Sequence, residues 1–392
     1  MTAPAEPALA RRDRARGALI GLAIGDAAGL PALYHRGARL GEPRQWLWHF
    51  SAEADTNQVL RFPLPFTLGR REPLQLSGTD DTEFAVAAAL ILLDVGGDAG
   101  AGELFAGWRA MVVDRADEVW SGIAERSSIV NTRAGLVPPA TGNDNPASFD
   151  DGAVARAVPV AIRYAGRPAR AAEVATRLAE ITHADDGVWA AAAMASGIAT
   201  ALAGGSAAEA IAAGIGQIPP GSWLDRQMTR ALDLAAAAPT PMDLAADLND
   251  QVANASYSFG TIAPETLASA FAIVLATGGE PVTALPLAGM VAKQSDSMPA
   301  MVGALAGALY GAGALPLRWR QKVDRVRGHC LPHLAGTSLQ AVADDLVTAG
   351  EKDTAGEPDG GDGGQAAGGA LDAATGPGLP HGAGVHGGGR RD

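Results

Sequence analysis

Apolar residues recur along most of this chain with the three-to-four-residue period of α-helices. Glycine and proline mark the ends of these segments. Gly96-Gly97 and Gly278-Gly279 stand where helices are expected to end, and Pro264 and Pro299 stand in first turns. Alternating strand patterns are nearly absent, so an all-α fold is predicted. The predicted helices cover residues 13–24, 81–95, 101–113, 152–165, 170–181, 185–203, 206–215, 223–237, 242–254, 264–277, 282–292, 298–312 and 337–349.

The segments outside this pattern set the predicted domain limits. Residues 1–12 are expected to form a flexible arm, residues 13–350 a single helical domain, and residues 351–392 a glycine-rich disordered tail. Inside the domain, residues 34–76 carry Trp, Phe and Pro without a helical period, which predicts a long loop with room for short strands. Residues 127–151 are polar and rich in Gly, Pro, Asn and Asp, which predicts a binding loop.

Composition narrows the functional classes. Alanine and glycine dominate, and their small side chains favour closely packed helices. The formal net charge of −13 argues against nucleic acid as a partner, because binding its backbone requires clustered Lys and Arg. Residues 187–208 and 298–317 are uncharged and long enough to span a bilayer, but both are rich in Ala and Gly. Buried core helices explain them better, so no membrane association is expected.

Cys330 is the single cysteine, which excludes an internal disulfide, a cysteine zinc cluster and an iron–sulfur centre. One unpaired cysteine suits a reducing cytoplasm. Its neighbour His329 does not face it on a helix, so no nucleophilic role is expected.

The first motif that can carry chemistry is Thr79-Asp80-Asp81, directly before the apolar run 84–93. One interpretation is purely structural: Thr79 caps a helix and the two carboxylates complement its dipole. The other is a site for a hard cation, since magnesium prefers carboxylate and hydroxyl oxygens. The motif by itself leaves both open.

A second motif, Asp296-Ser297, precedes another helix of small residues and repeats the pairing of an acid with a hydroxyl. If the two helices start at the same place, the two motifs form one oxygen-rich cluster. Clustered carboxylates repel one another unless a cation lies between them. The two motifs alone leave open whether the helix starts meet; if they do, the cluster suits a magnesium ion, with manganese as a substitute.

Five motifs in order resemble the ADP-ribosylglycohydrolase family, which includes the dinitrogenase reductase-activating glycohydrolase. They are GALIGLAIGDAAGLP (17–31), GTDDT (78–82), DDGAVARAVPVAI (150–162), Thr182-His183 and SDSMPAMVGALAGALYG (295–311). The resemblance covers about residues 13 to 320. It implies a compact orthogonal bundle of many helices, one or two magnesium ions in a central cleft, and hydrolysis of a glycosidic bond to the ribose of ADP-ribose.

Carried over residue by residue, the resemblance implies the site. The implied metal ligands are Thr79, Asp80, Asp81, Asp296 and Ser297, and the implied catalytic residues are Asp80, Asp81 and Asp296. Asp151, Gly152 and His183 match segments that line the ADP-ribose cleft, although His183 is equally explained as a structural residue bonded to backbone. Asp26 matches a position interpreted as structural.

Two departures from the family pattern weaken this site: Gln294 and Leu33 stand where the family carries acids. The predicted function is a magnesium-dependent hydrolase that acts on an ADP-ribosylated protein or a small ribosyl compound. Two alternatives stay open, namely another ribosyl N-glycosidase acting on a nucleoside or nucleotide, and a non-catalytic ADP-ribose binder. The sequence identifies neither the acceptor nor the oligomeric state.

Overall fold

A computed structural model describes residues 6–37, 56–57, 77–253, 261–291 and 297–356 of the 392-residue chain. Within these ranges sixteen helices occur and no β-strand, which agrees with the predicted all-α class. The helices are α1 Glu6–Gly37, α2 Asp80–Val95, α3 Ala101–Met111, α4 Ile123–Arg133, α5 Ala140–Asn143, α6 Gly152–Arg163, α7 Pro168–Ala179, α8 Asp186–Leu202, α9 Ala207–Ile215, α10 Trp223–Ala237, α11 Pro241–Leu248, α12 Ala263–Thr277, α13 Pro281–Ala288, α14 Met298–Tyr310, α15 Leu317–Val323 and α16 Leu339–Gly356.

Local sequence explains many helix ends. Ser206, Ser222 and Thr240 each accept a hydrogen bond from the backbone N–H three residues later, which caps α9, α10 and α11. Gly278 ends α12 in the left-handed conformation at φ 63°. Gly278 is one of the glycines that predict helix ends, whereas the three capping residues are not among the predicted signals. Most predicted bounds lie within two or three residues of the observed ones.

The core is built from helices that are buried on nearly every side, chiefly α2, α6, α8, α12 and α14. Their Ala, Gly, Val and Leu content permits this, because small apolar side chains leave no polar face to hydrate. α1 packs along α14 with glycines on both sides: a Cβ at Gly21 would overlap the Gly303 carbonyl, and one at Gly307 would overlap the Gly17 carbonyl. No described helix is both long and apolar enough to cross a membrane.

The first and last helices extend past the predicted limits of the helical domain. α1 already begins at Glu6, inside the segment expected to be a flexible arm, and α16 continues to Gly356, beyond the expected limit at 350. The two ends stabilise each other: Arg12 pairs with Glu351 at 3.0 Å, and Arg16 binds both carboxylate oxygens of Asp344 at 2.8 and 2.7 Å. Residues 357–392 of the predicted tail lie outside the described residues.

The predicted binding loop at 127–151 is wrong in its first part. α4 runs to Arg133 and the short α5 follows, so that the irregular segments are limited to the residues around them. Contacts with distant backbone stabilise α4, since Ser128 Oγ donates to Ile181 O at 2.6 Å and the Arg126 guanidinium donates to Val119 O at 3.0 Å. The predicted loop at 34–76 lies almost wholly outside the described residues.

Candidate functional site

Asp26 of α1 holds the start of α2. Its buried carboxylate accepts four hydrogen bonds: from Thr79 N at 2.6 Å, Thr79 Oγ1 at 2.5 Å, Thr82 N at 3.0 Å and Thr82 Oγ1 at 2.6 Å. Thr79 stands at the N-cap position, but its side chain makes no capping bond. The capping interpretation of Thr79 is therefore wrong: a carboxylate 53 residues earlier in the chain satisfies the helix N–H groups. The structural role expected of Asp26 agrees with this geometry.

These four hydrogen bonds from Thr79 and Thr82 to Asp26, called here the Asp26 clamp, fix Asp80 and Asp81 in the first turn of α2, where the charges of other acids act on them. Burial, then the charge of Asp26, raises the pKa of Asp80 to about 6. The pKa of Asp81 is raised well above its usual range, by burial first and then by the charges of Asp80, Asp26, Asp151 and Glu125. The clustered acids therefore come from four segments of the chain.

Ser297 of the second predicted motif lies close to the part of α1 that carries Asp26. Ser297 stands directly before α14, is buried, and makes no capping bond with that helix. A Cβ at Gly25 would overlap the Pro299 carbonyl, so the first turn of α14 touches α1 beside Asp26. α1 thus links the starts of α2 and α14, as the predicted cluster requires. Asp296 and Gln294 lie outside the described residues, and so does the side chain of Leu33.

The carboxylate and hydroxyl oxygens at these two helix starts suit a hard divalent cation, because magnesium prefers such ligands. A bound cation would also relieve the repulsion between the carboxylates. Asp26 is not one of these donors, since its oxygens are occupied by N–H and O–H groups. Among the described residues no three acidic, His or Cys side chains form a group that can hold a metal ion. A full ligand set would therefore draw on Asp296 of the predicted ligands.

The three residues predicted to bind substrate lie on two adjoining segments. Asp151 is buried and its backbone N–H donates to Thr261 O at 3.2 Å. Gly152 opens α6 and donates its N–H to Asp150 Oδ1 at 3.0 Å. A Cβ at Gly152 would lie 2.7 Å from Glu125 Oε1, so a larger residue there would displace the Glu125 side chain.

His183 is fully buried, and both ring nitrogens are bonded within the protein. Nδ1 lies 2.6 Å from Thr182 Oγ1 and 3.4 Å from an Arg156 nitrogen, while Nε2 lies 2.5 Å from Asp150 Oδ1. Because a guanidinium only donates, Nδ1 accepts and Nε2–H donates to Asp150. Burial, together with the charge of Arg156, lowers the pKa of His183 to about 3, so the ring is neutral. This geometry fits a positioning role better than direct contact with a substrate.

A buried ion pair supports this network and was not predicted. Arg156 is 1% exposed, donates to Glu125 Oε1 at 2.7 Å and to Thr182 Oγ1, and lies 5.0 Å from the centroid of the Trp108 ring. Arg156 is part of the motif at 150–162, but its partner Glu125 stands in a segment without a predicted helix. Only the fold brings them together.

Cys330 lies beside α2, where its backbone N–H donates to the Glu83 carboxylate. Burial, followed by the nearby acids, raises the pKa of its thiol, which agrees with the absence of a nucleophilic role. The Glu83 carboxylate accepts hydrogen bonds of 2.7 Å from the backbone N–H groups of His329, Cys330 and Leu331. This contact fixes the segment against α2.

A helical scaffold that gathers carboxylates at one place suits hydrolysis of a glycosidic bond, a reaction that uses acidic side chains as acid, base or nucleophile. Comparison with known proteins makes the assignment specific. The sequence profile of the ADP-ribosylglycohydrolase family matches residues 7–356, and the chain belongs to that family. The resemblance inferred from the five motifs is confirmed, and membership in a glycohydrolase family supports a hydrolase.

The fold agrees with this assignment. A solved structure described as an "ADP-ribosylglycohydrolase-related protein complex" is similar, with a TM-score of 0.55 and 23% sequence identity, over 87% of this chain and 99% of that one. At that identity the similarity shows the fold, and it confirms the predicted all-α class. A search of curated proteins gives no match.

Proposed function

We propose that this chain is a magnesium-dependent hydrolase that cleaves the glycosidic bond between ADP-ribose and an acceptor, either a protein side chain or a small molecule. The observation that carries the proposal is that α1 contacts the starts of both α2 and α14, so that Thr79, Asp80 and Asp81 on one helix start and Ser297 on the other lie beside the same part of α1. Burial and neighbouring charges raise the pKa of Asp80 and Asp81, and carboxylates held in this way at a helix start point to a use for their charge.

In this proposal Thr79, Asp80, Asp81, Asp296 and Ser297 hold the magnesium ion, with manganese as a substitute. The bound ion supplies positive charge that offsets the carboxylates and orients the ribose hydroxyls. As the water oxygen bonds to the anomeric carbon, Asp80 or Asp81 accepts a proton from that water. The glycosidic bond breaks with its electron pair on the acceptor atom, which takes up that proton or one from solvent. With its pKa at about 6, Asp80 is mostly ionised at neutral pH and is able to take that proton.

Asp151 and Gly152 contact the ADP-ribose in this proposal, whereas His183 acts through Asp150. The Asp150 carboxylate accepts from both His183 Nε2 and Gly152 N, so the ring fixes the turn that presents Gly152. His183 is therefore a positioning residue. His183→Gln is expected to raise KM more than it lowers kcat.

The decisive experiment incubates the full chain and magnesium with ADP-ribosylated proteins, ADP-ribosylated small molecules and free nucleosides, and detects released sugars by mass. We expect release of ADP-ribose. Release of a base from nucleosides alone would favour the other ribosyl glycosidase, and ADP-ribose binding without turnover would favour the binder.

The site residues are tested with the variants Asp80→Asn, Asp81→Asn and Asp296→Asn. Each is expected to lower turnover by about tenfold to a thousandfold, because each removes a metal ligand or the proton acceptor. Asp94→Asn is the matched control, since Asp94 is an exposed acid at the other end of α2. Wild-type turnover in all three site variants would contradict the mechanism.

The number of bound ions is a separate prediction. Because Gln294 and Leu33 replace acids of the family pattern, we expect titration calorimetry with manganese to find one well-occupied site. Gln294→Asp is expected to strengthen a second site by restoring a charge. Two equally tight ions in the unmodified chain would contradict this prediction.

A further inference from the structure

One face of α10 carries a groove that the proposed hydrolysis does not use. Its lining is Trp223, Arg226, Gln227 and Arg230, and its volume is about 580 Å³. The four residues follow one another at helical spacings of three, one and three, which places all of them on one side of α10. A volume of this size suits a small-molecule ligand.

The groove is cationic on a protein whose net charge is −13. The exposed guanidinium groups of Arg226 and Arg230 stand one helical turn apart and are both held by neighbouring backbone. Arg226 Nη1 donates to Gly221 O at 2.6 Å, and Arg230 donates to Gln251 O and Gln251 Oε1, each at 3.0 Å. Because these contacts already fix the two guanidinium groups, the arginine side chains lose less conformational entropy when an anion binds between them.

Trp223 adds a flat apolar surface at one end of the groove. Its indole is partly exposed, and its ring centroid lies 5.9 Å from that of Phe149 at an interplanar angle of 53°. Phe149 directly precedes Asp150, and Leu224 N donates to Asp186 Oδ1 at 2.8 Å in the first residue of α8. The groove therefore adjoins the segments that carry Asp150 and His183.

The groove presents an indole beside two fixed guanidinium groups. We propose that it binds a nucleoside phosphate, with the base stacked on Trp223 and the phosphate bound by Arg226 and Arg230. Planar bases stack on indole rings, and guanidinium groups bind phosphate oxygens in pairs. The ligand is either a free nucleotide or the nucleotide end of the hydrolysed substrate. Binding in this groove does not depend on hydrolysis by the chain.

The test is titration calorimetry of the full chain in metal-free buffer containing EDTA, with AMP, adenosine and inorganic phosphate as separate probes. We expect AMP to bind at least about fivefold more tightly than either fragment, because only AMP reaches both halves of the groove. Arg226→Gln combined with Arg230→Gln, and separately Trp223→Leu, is expected to weaken AMP binding by at least about tenfold. Arg109→Gln, which removes an exposed arginine from α3, is expected to leave it unchanged.

Three results would overturn the proposal: no AMP binding by the unmodified chain, undiminished binding by the double arginine variant, or loss of binding in Asp81→Asn while the arginine variants still bind. The last result would place the nucleotide among the acids alone. Failure of the hydrolase proposal leaves this titration interpretable, because no turnover is measured.

The KM for an ADP-ribosylated substrate then separates the two sources of ligand. A KM raised about tenfold in the double arginine variant would show that the groove holds the substrate's nucleotide end. An unchanged KM, with AMP binding lost, would show a separate nucleotide site. Both outcomes support the groove as a nucleoside-phosphate site.

Discussion

α1 makes two contacts of opposite character within ten residues. Along its middle it packs on α14 through glycines, with the Gly21 and Gly303 backbones so close that neither position has room for a Cβ. At Asp26 it binds α2 through four short hydrogen bonds to a carboxylate. The first contact depends on the absence of side chains, and the second depends on one particular side chain.

The difference shows how a core of small residues can support a polar site. Close packing of α1 on α14 fixes the position of the α1 backbone, and Gly25 continues that packing up to the residue before Asp26. A carboxylate on a rigid backbone can satisfy several N–H and O–H donors at once, with little entropy lost on forming the bonds. The glycine contact thus sets the position from which Asp26 holds the start of α2.

The largest expected effect comes from filling the glycine contact. Gly21→Ala places a Cβ onto the Gly303 carbonyl, and both backbones belong to core helices, so neither can move cheaply. We expect the free energy of unfolding to fall by about 3 kcal/mol or more, measured by urea denaturation followed by circular dichroism.

Gly102→Ala is the matched control, because a Cβ at Gly102 in α3 would meet nothing within 4 Å. Alanine favours helix over glycine, so this variant is expected to gain up to about 1 kcal/mol. Equal stability of the Gly21→Ala and Gly102→Ala proteins would show that the α1–α14 contact is less close than described.

Removing the clamp is expected to have the next largest effect. Asp26→Ala leaves the N–H and O–H groups of Thr79 and Thr82 buried without their acceptor, which costs about 2 to 3 kcal/mol. Asp26→Asn keeps one acceptor oxygen, and its loss should be about half as large. Thermal unfolding with and without manganese checks both values, and unchanged metal affinity in either variant would show that the clamp does not position Asp80 and Asp81.

The fold was largely predictable from the sequence because glycine and proline mark the helix ends. The exceptions have physical reasons. Residues 127–133 of α4 contain Ser, Asn and Thr, which compete with helical hydrogen bonds in an isolated segment, and the Gly, Pro, Asn and Asp that follow them predict a loop. Its stability depends on long-range bonds such as that from Ser128 to Ile181 O, which no local pattern reveals. The start of α1 depends in the same way on Arg12 and Arg16 meeting α16.

The acidic residues of the site were predictable from the sequence, but the residues that bind and position them were not. Thr79, Asp80 and Asp81 stand at a helix start as the motif predicts, but the role of Thr79 is decided by Asp26, far away in the sequence. Arg156 and Glu125 form an ion pair that only the folded chain creates. The metal ligands and the substrate contacts stay predictions, since motif spacing indicates a cation site without giving its geometry.

A third expected effect concerns the His183–Asp150 pair and its dependence on pH. Burial lowers the pKa of His183 from 6.5 to about 3 and raises that of Asp150 from 3.8 to about 7. As the pH falls, the pair in the unfolded chain takes up one proton near pH 6.5, on the histidine. In the folded chain it takes up one proton near pH 7, on the carboxyl. Between about pH 4 and 6 both states hold the same number of protons, so the pair contributes almost no pH dependence to stability.

Asp150→Asn removes the carboxyl that takes up the proton in the folded chain, so the folded and unfolded states no longer hold equal numbers of protons. The Asn side chain keeps an oxygen that accepts from His183 Nε2 and Gly152 N. The folded variant then takes up no proton between about pH 6.5 and 3, whereas the unfolded chain still protonates His183. Because the unfolded state binds more protons in that window, stability falls as the pH falls through 6.5. In the variant itself the loss between pH 8 and pH 5 should reach about 2 kcal/mol, at 1.36 kcal/mol for each pH unit between 6.5 and 5. Urea denaturation at pH 8, 6.5 and 5 measures it, and adding His183→Gln should abolish the difference because the titrating ring is gone. Parallel stability curves for the unmodified and Asp150→Asn proteins would show that this pair does not exchange its proton as described.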